Sequence, residues 1–303
     1  MYRNINGDAF SRNLSADLSL LYWLTRMNVA FDVLSDHHLH NEGGELLSPY
    51  EVVITGSHPE YVSGQILDGI EAFLQTSGSL MYLGGNGFYW VTDMSDDGAV
   101  LEVRRPNGTR PSTSEPGESF QQLTGELGGL WKDRGRPPQK LTGVGFIAQG
   151  WTSEDRCGLA QPYTVSDLAI GPAYSDLFAG LQSGDSIGAF PSAGLGYGAA
   201  GDEIDCVDPK KGSPAQTKIL ATANGYEKEY LPAIETQTQI HNRSLDLDDE
   251  LIRADLAWID LASGGAIFST GSINWISSLC YNECENSVSA ITLNAIKRIT
   301  RSK

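Results

Sequence analysis

His58 and Glu60 lie two residues apart across Pro59, in the run Gly56-Ser57-His58-Pro59-Glu60. Proline biases the residue before it toward extended backbone, and extended residues at i and i+2 project to one side. A carboxylate beside an imidazole suits oxygen ligation of a hard Lewis acid, with a neutral histidine taking a proton from attacking water. Asn86, in Gly84-Gly85-Asn86-Gly87, adds an amide in a glycine setting that lets backbone approach a ligand. Asp202, Glu203 and Asp205 follow the glycine-rich stretch 184–201 and read as acids delivered by a loop to one place. A purely structural alternative has Glu60 capping the helix that begins beside it and His58 satisfied within its loop. Residue types alone leave both open.

Other candidates carry less. Ser57 follows a strand as a nucleophilic serine would, but its frame lacks the second glycine of a sharp elbow. The histidines of Ser35-Asp-His-His-Leu-His40 have no acidic or cysteine partner at a diagnostic spacing and read as a solvated loop. Gly196 to Gly201 matches a dinucleotide fingerprint, yet acids follow it and Pro209 stops any helix. Cys280 and Cys284 are spaced i, i+4, but Cys157 and Cys206 are single, so the thiols read as reduced and not as a zinc site.

The elements that must position these residues centre on 48–94. Apolar runs at Glu51–Thr55 and Ser79–Leu83 bracket a segment in which Val62, Ile66, Leu67, Ile70, Phe73 and Leu74 recur at helical steps. A crossover of this kind joins parallel strands in the right-handed sense, so both strands end at one sheet edge, where open α/β sheets bind ligands. Upstream, a helix is expected over Asp17–Asn28, capped by Ser15 or Asp17, with Leu18, Leu21, Leu24 and Met27 as its buried stripe, and a strand over Ala30–Leu34. Downstream, Ala99–Arg104 is expected to pair with Tyr89–Thr92, and 106–140 reads as an insertion with a short helix near Phe120–Leu130. Strands at Val144–Ala148 and Lys218–Ala223, a hairpin over Ala257–Ser269 and a helix over Asn286–Ile299 complete the pattern.

A formal net charge of −17 repels phosphate backbones and anionic lipid, so neither nucleic acid nor a membrane is an expected partner. No window approaches the length of an apolar membrane span, and residues 1–4 lead into no secretory signal; a cytoplasmic location is expected.

The runs Leu46-Leu-Ser-Pro-Tyr50, Gly56-Ser-His-Pro-Glu-Tyr61, Leu80-Met-Tyr-Leu-Gly-Gly-Asn-Gly-Phe-Tyr-Trp90, Gly198-Ala-Ala-Gly-Asp-Glu-Ile-Asp205 and Gly265-Ala-Ile-Phe-Ser-Thr-Gly-Ser-Ile-Asn-Trp275 occur in that order. This pattern resembles the large (beta) subunit of N,N-dimethylformamidase. The resemblance implies a three-layer, class I glutamine-amidotransferase-like (flavodoxin-like) α/β domain over 1–303, with a mostly parallel sheet, antiparallel additions and no cysteine nucleophile. It further implies a mononuclear ferric ion held by two tyrosinates and one glutamate, hydrolysing N,N-dimethylformamide to formate and dimethylamine. By this resemblance Glu60 is the metal ligand, His58 the general base and Asn86 the substrate-orienting group, with Glu203 a carboxylate facing the same pocket. The family's tyrosine ligands lie upstream of the matched part, and Tyr22 reads as core or surface of the first helix, so this chain offers one ligand of three. A small subunit or an upstream-encoded half, within an oligomer, is the expected partner. The alternative is a non-catalytic amidotransferase-like scaffold that meets a partner through 106–140.

Overall fold

In the computed structural model, which describes residues 2–3, 9–10, 12–106, 118–150, 160–193, 196–226, 230–233 and 252–301, the first helix, α1, spans Arg12–Arg26. It starts earlier than Asp17, so Ser15 and Asp17 lie inside it and not at its N-cap. Its buried stripe is Ala16, Leu20, Trp23 and Leu24, an i, i+4, i+7, i+8 series, whereas Leu18 is 54% exposed. Trp23 sets that rotation: its indole donates to Ser289 Oγ at 2.7 Å within the core.

Residues 29–35 form no strand; Phe31, Val33 and Leu34 are exposed there. The histidine-rich stretch is not a solvated loop but helix α2 (Asp36–Glu42), capped by Ser35. Its buried face carries Leu39 and His40, and His40 Nδ1 lies 2.8 Å from Ser63 Oγ.

The βαβ unit forms as its apolar pattern requires. Strand β1 (Val52–Ile54) leads through the short β2 (Tyr61–Val62) into α3 (Gly64–Gln75), and β3 (Ser79–Tyr82) returns parallel to β1 with Val52 opposite Ser79. Ser63 caps α3 by accepting the Ile66 N–H, and the helix buries Ile66, Leu67, Ile70, Phe73 and Leu74. Strand β4 (Trp90–Met94) pairs parallel with β2 and antiparallel with β5 (Leu101–Val103), closing the expected hairpin through the Ser95–Gly98 turn.

No helix occupies Phe120–Leu130. Gly125 and Gly129 take positive φ of 74° and 100°, and Phe120 bridges to Leu127 as in a tight reversal. Within 106–140 the regular elements are a 3-10 turn at Trp131–Arg134 and the start of helix α4 (Pro138–Thr142); residues 107–117 lie outside the described set.

Further strands are β6 (Gly145–Gly150), β7 (Tyr163–Val165), β8 (Ser186–Ile187), β9 (Asp202–Cys206), β10 (Lys218–Ala223), β11 (Leu231–Pro232), β12 (Ala254–Asp260) and β13 (Ala266–Ser269). Helices α5 (Asn274–Ser278) and α6 (Ser287–Arg301) follow. The main sheet has seven strands in the order β8-β7-β10-β12-β13-β3-β1. Only β13, β3 and β1 run parallel, so the α/β class stands while the mostly parallel sheet does not. Strands β12 and β13 are joined by the tight Ser263-Gly264-Gly265 turn, with Gly264 at φ 93°, and such a connection can only make an antiparallel pair.

Side chains of β3 alternate between two cores. Leu80 and Tyr82 pack with α3, while Met81 and Leu83 join Trp23, Val288 and Ile291 from α1 and α6. Helices thus cover both faces of this part of the sheet, and the loops after β1 and β3 emerge together at one edge. Among the described residues no helix is long and apolar enough to cross a membrane.

Candidate active site

Three separate segments bring their functional side chains together at that edge. The loop after β1 carries His58 and Glu60, the loop after β3 carries Asn86, and β9 carries Glu203 and Asp205. The acids at 202–205 therefore come from a buried strand paired with β6, not from a glycine-permitted loop. His58 Nε2 lies 2.9 Å from Glu203 Oε2 and 3.2 Å from Glu60 Oε2. Asn86 Nδ2 donates to the same Glu203 oxygen at 2.9 Å. All four sequence-predicted site residues thus belong to one cluster.

Glycine makes this convergence possible. A Cβ on Gly84 would overlap the carbonyl oxygen of Ser57, and one on Gly85 would overlap that of Glu203. Each glycine therefore lets the β3 loop touch one of the other two segments, which a side chain would hold apart. Gly85→Ala is expected to destabilise the protein by about 2 kcal/mol or more, because backbone must give way on both sides. Urea unfolding checks this; a loss below about 0.5 kcal/mol would show that the contact is soft.

Glu60 does not cap α3, since Ser63 does. Its Oε1 accepts the Trp90 indole N–H at 2.9 Å, and its Oε2 faces His58. Trp90 is itself covered by the Arg105 guanidinium, 4.5 Å from the ring centroid, and Arg105 donates to the Tyr61 hydroxyl at 2.9 Å. Sequence reasoning missed this bracing pair; the only available signal was an indole closing the Gly-Gly-Asn run.

Burial of His58 disfavours its cation, but the hydrogen bonds and charges of Glu203 and Glu60 outweigh it and raise the imidazole to about 9. At neutral pH the two carboxylates favour the imidazolium form of this histidine.

Asp205 was legible only as one of several acids. It is fully buried and accepts Tyr82 Oη–H at 2.7 Å and the Asn86 backbone N–H at 2.7 Å, while the Tyr82 oxygen accepts the Gly87 N–H at 2.7 Å. Burial pushes its carboxyl up to about 7, against those hydrogen bonds. Its work is to fix the turn in which Asn86 adopts a left-handed φ of 49°, a conformation asparagine tolerates better than most residues. Asn86 is 3% exposed, and its Oδ1 finds no hydrogen-bond partner among the described residues.

Other candidates fall away. Ser57 donates through both N and Oγ to Asp17 Oδ1, at 3.0 and 3.3 Å, which anchors the loop to α1. Tyr22 is 54% exposed on α1. Cys206, Cys280 and Cys284 are unbridged, and Cys157 lies outside the described residues. Glu60 is a hard oxygen donor of the sort ferric iron accepts, but one carboxylate does not hold an ion. Among the described residues no group of three or more His, Cys, Asp or Glu side chains could hold a metal. The described residues therefore do not by themselves fit a mononuclear iron.

A mixed α/β chain in which an imidazole, two carboxylates and an amide from the β1 loop, the β3 loop and β9 meet at one sheet edge is the class that fold and site define. Within it, the chain belongs to the N,N-dimethylformamidase beta subunit-like, C-terminal family, which residues 1–286 match. It is 33% identical over 291 residues to the N,N-dimethylformamidase beta subunit of Alcaligenes sp, covering 95% of this chain and 37% of that protein. To the N,N-dimethylformamidase beta subunit of Paracoccus aminophilus it is 33% identical over 290 residues, with the same coverages. The chain thus spans little over a third of the length of these relatives. A solved structure, the mmIFT52 N-terminal domain, aligns over 93% of this chain and 89% of its own at 12% identity and a TM-score of 0.41, too low a score to argue from.

Proposed function

We propose that this chain supplies the acid–base part, and one metal ligand, of an amide-hydrolysing site of the N,N-dimethylformamidase type, acting on N,N-dimethylformamide or a related small formamide. The observation that carries the proposal is the convergence of His58, Glu60, Asn86 and Glu203, from three distant segments, on one buried point. Buried charge held in this way is costly, and clusters of perturbed titratable groups concentrate at functional sites.

Each side chain has a role consistent with its surroundings. Trp90 occupies one oxygen of Glu60 and leaves Oε2 for a cation. In the isolated cluster that place is taken by the His58 imidazolium. Were Glu60 to hold a metal cation, His58 would keep only Glu203 as counter-charge and would be the group placed to take a proton from water. Glu203, fixed by Asn86, then steadies the imidazolium that results. Asn86 Oδ1 is an acceptor seeking a donor. A tertiary formamide has no N–H, so this oxygen suits the attacking water or the proton arriving on the leaving amine, and not the substrate carbonyl. That refines the substrate-orienting role implied by the resemblance.

In this reading 1–303 is a glutamine-amidotransferase-like domain elaborated from its parallel β1-α3-β3 unit, working in the cytoplasm as part of an oligomer. An iron held by Glu60 would need its remaining ligands from another polypeptide segment or subunit. The absence of a metal-holding group among the described residues favours a second reading, a non-catalytic subunit whose charged cluster is retained for structure.

One experiment separates the two. In an assembly that binds iron and releases formate from N,N-dimethylformamide, Glu60→Ala is expected to lose the metal and at least a thousandfold in rate, about 4 kcal/mol of barrier. Iron retention and turnover surviving Glu60→Ala would sink the enzyme reading.

A further inference from the structure

We propose that the cavity formed by Tyr89, the 132–139 segment, Phe146 of β6 and the turn after β9 binds a small organic anion with a flat body, at a site separate from the His58 cluster. The cavity has a volume of about 480 Å³, within the range that small-molecule sites occupy. None of its lining residues belongs to the cluster, from which the edge-to-face pair of Tyr89 and Trp90 separates it.

Its walls are flat and apolar. The Tyr89 and Phe146 rings meet edge to face at 5.5 Å, and Pro137 and Pro138 add rigid surface. Such a lining favours a planar partner.

The polar groups specify charge. Lys132, Lys210 and Lys211 gather here in a chain of net charge −17. Lys132 pairs with Asp133 at 3.0 Å, so those two largely cancel. Asp208 accepts the Lys210 backbone N–H at 2.9 Å and serves as the cap of its own turn. The ammonium groups of Lys210 and Lys211 have no ion-pair or hydrogen-bond partner among the described residues. They ride on a stiff support: Gly212 is left-handed at φ 112°, and Ser213 Oγ accepts the Asp208 N–H at 2.8 Å while donating to the Gly143 carbonyl at 2.7 Å. Unpaired cations at a concave apolar wall in an otherwise acidic molecule draw anions to that spot.

Gln139 points to a ligand independently of the lysines. It lines the cavity, is 4% exposed, and its amide has no hydrogen-bond partner among the described residues. Its amide atoms are not sealed from solvent, so they can meet a polar group of an occupant. The site therefore combines a flat apolar wall, an amide without a protein partner among the described residues and two cations at the rim, which together fit an aromatic or similarly planar carboxylate.

The test is calorimetric titration of the full 303-residue chain with benzoate, beside neutral benzamide, cationic benzamidinium and inorganic phosphate. Saturable benzoate binding is expected, at least tenfold tighter than benzamide or phosphate, with none for benzamidinium. Lys210→Ala with Lys211→Ala should weaken benzoate at least tenfold, and the single change Lys211→Gln severalfold. Gln139→Leu should also weaken it severalfold. Absence of benzoate binding overturns the site, and equal binding of benzamide overturns its charge preference. Phosphate binding as tight as benzoate overturns the planar body. Binding unchanged in both lysine variants moves the anion elsewhere. None of these outcomes depends on Glu60 or on formamide hydrolysis.

Discussion

Asp205→Ala is expected to cost about 3 kcal/mol of folding stability, more than any single hydrogen bond in the molecule would suggest. Both donors aimed at the carboxylate, Tyr82 Oη–H and the Asn86 N–H, are buried and would be left without an acceptor. Leaving a buried donor unsatisfied costs about 1–3 kcal/mol each. Removing a carboxyl that burial has raised to about 7 returns part of this, since its ionisation in the folded state is itself unfavourable. The conservative Asp205→Asn should cost less, about 1–2 kcal/mol, because the side-chain oxygen can still accept from Asn86 while its amide faces Tyr82 Oη. Urea unfolding of the three proteins measures the difference. A loss under 1 kcal/mol for alanine would mean that water replaces the carboxylate and that the Asn86 turn does not depend on Asp205.

That dependence also explains which parts of the site could be read from the sequence. The strand-helix-strand unit was legible because its signal is local: Val62, Ile66, Ile70 and Phe73 keep helical period between two apolar runs, and Ser63 stands where a cap belongs. His58, Glu60 and Asn86 follow, since they occupy the loops at the ends of those strands. Glu203 came to the cluster by resemblance. Asp205 could not be singled out, because its partners Tyr82 and Asn86 are 123 and 119 positions away. Trp23 shows the same limit in the core. Leucines at 18, 21 and 24 offered one helical stripe, and the bond from its indole to Ser289, 266 positions on, selected another. The apolar run Ala30–Leu34 has strand composition but gains no strand partner in the fold, and the histidines after it become helix because Ser35 caps them. Local pattern set the elements here, while long-range hydrogen bonds chose their rotation and the site's interior.

The same buried charges predict how stability changes with pH. The folded protein holds His58 at about 9, above the ordinary imidazole value of 6.5, so its contribution is fully present below pH 6.5 and is lost as pH rises through 9. A shift of that size corresponds to roughly 3 kcal/mol at 1.36 kcal/mol per unit. Asp205 acts in the same direction at lower pH. Its carboxyl is raised from 3.8 to about 7, so the folded state favours its neutral form and stability declines as pH rises from about 4 to 7. Wild-type stability is therefore expected to fall between pH 6.5 and 9.5 by a few kcal/mol relative to His58→Gln. That variant leaves Glu60 and Glu203 facing one another without a cation, so it should be the less stable protein at pH 6.5. The gap should close toward pH 9.5, where the wild-type imidazole is neutral as well. Urea unfolding at several pH values measures both curves. Parallel curves would mean that His58 is not held as a cation by the two carboxylates, and its conversion into a base on engagement of Glu60 would lose its physical ground.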